Sequence, residues 1–90
     1  PNKLVEIMTT AINTVPFVGE YVVDALLAVF PNRAQTVVET AVRESVEQRE
    51  QVMKILSTAQ HAGVDNAKLK GYALAAGLSE DDFNSAITIR

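Results

Sequence analysis

The sequence predicts an all-α fold, a compact bundle of about five helices in one domain over residues 1–90. Three observations carry this. Apolar residues recur at three-and-four spacing, the period of a helix with one buried face. Pro16, Pro31, Gly63 and Gly77 fall between those stretches, where they end helices rather than interrupt them. The apolar content is 48% with only 6% aromatic, so the core is made of Val, Ala, Leu and Ile, side chains that let helices approach closely.

The first stretch, Asn2 to Thr14, places Leu4, Ile7, Met8, Ala11 and Ile12 in one stripe that continues to Val15. Asn2 is a suitable N-cap, and Pro16 disfavours helix in the residue before it, so a turn is expected over 15–19. The second stretch, Gly19 to Phe30, is apolar on every face except for Glu20 and Asp24. A helix apolar all round needs cover on all sides, which one core in a 90-residue chain can hardly supply. Residues 1–30 therefore read as an apolar helical hairpin.

Pro31 stops the second helix, and Asn32 followed by Gln35 has the spacing of a capping box for a third. No Pro or Gly follows until Gly63, so the pattern predicts one long central helix over 32–62, about 45 Å at 1.5 Å per residue. Its stripe is Ala34, Val37, Val38, Ala41, Val42, Val46, Val52, Met53, Ile55, Leu56 and Ala59. It thins to Val46 alone between Arg43 and Gln51, where Arg43, Glu44, Glu47, Arg49 and Glu50 read as solvated, and the pattern leaves open a bend near Ser45.

One turn device then occurs twice. Gly63-Val64-Asp65 supplies a left-handed glycine, an apolar residue that packs back, and a cap for the next helix. Gly77-Leu78-Ser79 does the same, with Ser79 and Asp82 at capping-box spacing. Residues 65–89 thus form a pair of short helices, with Leu69, Tyr72, Ala73, Ala76, Phe83, Ala86 and Ile87 facing inward.

The totals narrow the function. There is no cysteine, hence no disulfide framework, thiolate metal site or thiol nucleophile, which fits a reducing compartment. Eight basic residues against 11 acidic give a net charge of -3, with no general pull toward phosphate or anionic lipid. No signal-peptide layout opens the chain, so the expected location is cytoplasmic, or within a virion. A start at Pro1 fits removal of an initiator Met or trimming of a longer chain.

Residues Leu69 to Thr88 resemble a helix-turn-helix DNA-binding unit. Ala73 stands at its small position, Gly77 four residues later, Leu78 next, and Phe83, Ala86 and Ile87 at the wedging positions. The resemblance implies a second helix whose N-terminal residues meet base edges. Lys68, Lys70, Ser79, Asn84 and Ser85 would then be the contact set. Ser79-Glu80-Asp81-Asp82, however, brings three carboxylates toward phosphates, where such interfaces use Lys and Arg. Acidic first-turn residues are also what the helix dipole favours in an ordinary corner.

Other chemistry lacks its constellation. His61 is the only histidine and has no ligand or base at fixed spacing, while a C-terminal helix position suits it for dipole reasons. Glu44, Glu47 and Glu50 repeat every three residues, but a di-metal carboxylate bundle also brings Glu-x-x-His, and Arg43 and Arg49 interleave them. Four scattered glycines give no phosphate loop. Residues 7–30 are apolar, but Pro16, Gly19, Glu20 and Asp24 break any membrane span, a charge at the bilayer centre costing about 2.5–3.5 kcal/mol. No enzyme activity, cofactor or metal is expected.

The favoured reading is a non-catalytic helical protein that acts by protein–protein interaction or self-assembly, in the manner of a phage or plasmid accessory or structural protein. A protein partner or second copy would cover Ile7, Met8, Ile12, Val22, Val23, Leu26, Leu27 and Phe30. The alternatives are the nucleic-acid-binding corner and a hairpin that inserts into a membrane when triggered.

Overall fold

Two short apolar stripes, Val37-Val38-Ala41-Val42 and Val52-Ile55-Leu56-Ala59, form the centre of the core, and the helices that carry them pack on each other and on the remaining helices. The computed structural model describes residues 2–15 and 18–88, and the side chains of 3–15 and 18–85. Among them are α1 (Asn2–Thr14), α2 (Gly19–Val29), α3 (Ala34–Ser45), α4 (Arg49–His61), α5 (Asn66–Ala75) and α6 (Glu80–Thr88), with a 3-10 turn at Pro31–Arg33. No strand occurs among the described residues, and the fold is an all-α bundle. Helix α1 packs on α3, α2 lies across both α3 and α4, α5 packs on α3, and α6 on α4.

The single long helix expected over 32–62 is instead two helices, α3 and α4, broken at 46–48. A continuous rod of about 45 Å would also exceed the longest dimension of the fold, 31 Å. The break sits where the stripe thins. Val46 is exposed rather than part of the stripe, and the chain leaves the helical path at Gln48, at φ −112° and ψ 84°. The energetics favour this. Breaking the helix forfeits a few backbone hydrogen bonds at about 0.5–1.5 kcal/mol net each. Folding the stripes together buries several Val, Ile and Leu side chains at about 1.5–3 kcal/mol each.

Gln51 holds the break. Its side chain is buried, its Nε2 donates to Ser45 Oγ at 3.0 Å and Gln48 Oε1 at 2.9 Å, and its Oε1 accepts from the Gly19 backbone N–H at 3.1 Å. The first turn of α2 is thereby tied to the end of α3 and the start of α4. Gly19 packs closely there: a Cβ would lie 3.0 Å from Ile55 Cδ1 and 3.1 Å from Gln51 Oε1, so a larger residue would have to displace those side chains.

The capping box expected at Asn32 and Gln35 does not form. Asn32 lies inside the 3-10 turn, α3 starts without a side-chain cap, and Gln35 donates to Glu39 at 2.9 Å. Asn2 falls within the bounds of α1, and its side chain is outside the described ones. The turn expected at Pro16, the inward side chains of Ala86 and Ile87, and Ile89 also lie outside the described residues.

Both glycine turns are present as read. Gly63 and Gly77 take φ of +101° and +106°. Val64 N donates to Ala59 O and Gly63 N to Gln60 O, and Leu78 N to Ala73 O and Gly77 N to Leu74 O, which is the Schellman pattern twice. Asp65 then accepts from Ala67 N and Ser79 from Asp82 N, each at 3.1 Å. The reciprocal half of the Ser79 capping box is replaced by tertiary contacts. Asp82 turns its carboxylate to Arg49, and Lys70 meets Glu80 at 2.5 Å.

Removing the Gln51 amide leaves the Gly19 N–H without its buried acceptor, so Gln51→Leu is expected to cost about 1–3 kcal/mol in urea denaturation. Gln35→Ala, an exposed control, should stay within about 0.5 kcal/mol. Hydrogen bonding to Arg49 and to Lys70 respectively holds the Asp82 and Glu80 carboxyls below their ordinary values. A carboxyl depressed on folding adds stability at neutral pH that is lost as pH falls through its depressed value. The thermal midpoint should therefore drop below about pH 4, and less steeply in Glu80→Gln/Asp82→Asn.

Candidate functional site

The first two helices divide their apolar residues between the core and the outside. On α1, Met8 and Ile12 are buried and Leu4 is half-buried, so the inward line runs at four-residue spacing. Ile7 and Val15, expected in the same stripe, point outward. On α2, Gly19, Val23 and Leu27 form the inward line, again four apart, while Val22 and Leu26 pack half-buried against the core. The remaining perimeter faces solvent: Tyr21 is 69% exposed, Val29 66%, Ile7 59% and Phe30 45%.

The expected contact set is therefore split. Met8, Ile12, Val23 and Leu27 belong to the core of this one chain and present nothing to a partner, because α3 and α4 already cover them. Ile7 and Phe30 are at the surface, with Val22 and Leu26 between the two environments. Tyr21 and Val29 add apolar surface that the sequence reading did not select. The four-residue inward spacing could have found them, since they lie on the opposite side of α2 from Val23.

Between α1 and the end of α2 runs a groove of about 310 Å³ lined by Lys3, Leu4, Ile7, Leu26, Phe30 and Arg33. It continues through Lys3 and Ile7 onto the outer side of α1, a shallow hollow reaching Ala11 and Val15 with Glu6 on its edge. Lys3 and Arg33, absent from the sequence-based set, are the ionisable groups of the groove. Arg33 reaches the groove from the 3-10 turn at Pro31–Arg33.

Other candidate residues are dispersed. Lys68 lines a separate groove with Asn32, Gln35 and Tyr72. Lys70 is paired with Glu80, Ser79 caps α6, and Ser85 lines a small hollow with Val46, Arg49 and Met53. Asn84 is exposed on α6. The packing letters of the helix-turn-helix-like corner do their expected work, with Ala73, Leu78 and Phe83 buried.

His61 has company that its sequence neighbourhood lacks: Glu20, Tyr21, Asp24 and Thr58 line the same hollow. Its Nδ1 lies 2.9 Å from the Ser57 carbonyl oxygen. Among the described residues, no group of three or more His, Asp or Glu side chains is placed to hold a metal ion. No described helix is long and apolar enough to cross a membrane.

Comparison of the chain with known protein families, curated proteins and solved structures finds no match. The geometry alone must carry the functional reading.

The split of α1 makes adjacent residues behave in opposite ways. Ile7→Asp should change stability by no more than about 0.5 kcal/mol, because position 7 is solvated. Met8→Asp should cost at least about 3 kcal/mol by burying an unpaired charge, as read by denaturation. Equal losses would mean that the two faces have been exchanged.

Proposed function

We propose that this chain is a non-catalytic helical protein that acts by docking to another protein through the outer face of α1 and α2. The observation that supports this most is the apolar surface left open by the first two helices, with Ile7, Tyr21, Val29 and Phe30 exposed. Ile7 and Phe30 share one groove, and grouped apolar surface marks an interaction site more often than accident. Covering it would gain about 25 cal/mol for each Å² removed from water.

The nucleic-acid reading draws less support. Both cations nearest the start of α6, Lys70 and Arg49, face carboxylates of its first turn, Glu80 and Asp82. Phosphates would have to displace those contacts and then meet the carboxylates themselves.

Photo-crosslinking from single positions tests the docking reading. A photoreactive residue at Ile7 or Phe30 should give one discrete cross-linked species in native extract, and the same residue at Asp81 should not. Equal labelling from all three positions, or none from any, would contradict it.

A further inference from the structure

The groove between α1 and α2 has a chemistry that restricts its partner, and the argument rests on the docking reading above. Its floor is Leu4, Ile7, Leu26 and Phe30, and its ionisable groups are Lys3 and Arg33. Arg49, Lys54 and Lys70 each face a carboxylate of this chain. The side chains of Lys3 and Arg33 have no ion-pair or hydrogen-bond partner among the described residues. Arg43 and Lys68 likewise have no ion pair among the described residues, but neither lines this groove; Lys3 and Arg33 do.

We propose that the groove receives an acidic amphipathic helix of a different protein, its apolar side chains on Ile7, Leu26 and Phe30 and its carboxylates beside Lys3 and Arg33. The apolar path from Leu4 to Val15 along α1 is about 16 Å, three helical turns, which suits anchors at i, i+3 or i+4, and i+7. A second copy fits this groove poorly. Two-fold pairing would gather two Lys3 and two Arg33 at one seam with only two Glu6 to offset them, and like charges across a contact disfavour it. An anionic lipid surface is bound by clusters of about 4–8 basic residues, whereas this site offers two.

The test uses the whole chain as bait for a display library of random amphipathic helices about 14 residues long, counter-selected on Ile7→Asp. Enriched sequences should carry apolar residues at helical spacing and net negative charge. The best of them, labelled for fluorescence anisotropy, should bind Lys3→Glu/Arg33→Glu about tenfold more weakly. Its charge-swapped Lys counterpart should show the reverse preference. Circular dichroism on each variant verifies that the bundle is intact.

Ile7-dependent binders with neutral or basic flanks would overturn this inference and leave docking standing. No Ile7-dependent binder at all would overturn both. Light scattering that finds an Ile7-dependent dimer would assign the groove to a second copy instead. Co-sedimentation with phosphatidylglycerol vesicles, lost in Lys3→Glu/Arg33→Glu, would assign it to lipid; either result overturns the proposal.

Discussion

One side-chain amide, that of Gln51, joins three parts of this fold. A primary amide carries two N–H donors and a carbonyl acceptor, and inside an apolar core each must be matched or it costs about 1–3 kcal/mol. Here Ser45 Oγ, Gln48 Oε1 and the Gly19 N–H match them. Those partners come from the end of α3, the joint before α4 and the first residue of α2. Shifting any one of them leaves a buried polar group unpaired, so the amide specifies the arrangement as well as stabilising it.

The orientation of α2 follows from that anchor. With Gly19 held against Gln51 and Ile55, four-residue spacing carries Val23 and Leu27 into the core. Tyr21 and Val29, off that line, are left in water, and Phe30 is exposed at the C-cap of α2. Helix α1 fills the space beside α3 with Met8 and Ile12, which turns Ile7 outward to meet Phe30 and Leu26 at the groove. The open apolar face is thus a consequence of how the core closes.

Much of this was legible in the sequence. The two glycine turns could be read letter by letter, because Gly63 and Gly77 carry a backbone requirement that few other residues meet. The all-round apolar character of α2 has its counterpart in the exposure of Tyr21 and Val29. The break at 46–48 was not legible as a break, since Val-Glu-Gln contains no Pro or Gly and is compatible with helix. Its trace was the thinning of the stripe, and its cause is tertiary: Gln51, at the edge of the charged stretch, is buried by partners 3, 6 and 32 residues away. The contact set erred for a related reason. Periodicity places residues on one side of a helix, but which neighbours lie inward is set by where α3 and α4 stand, and that depended on the unseen break.

The fold-level claim is most directly tested by one distance. The chain has no cysteine, so spin labels at Gln35→Cys and Ala62→Cys report only on the start of α3 and the residue after α4. These two positions line the same groove. A broken, folded-back α3–α4 pair predicts a label separation of half or less of that in a continuous helix, where 27 residues would span about 40 Å. A dominant distance near the longer value would contradict the Gln51-held joint and, with it, the outward face of α1 and α2.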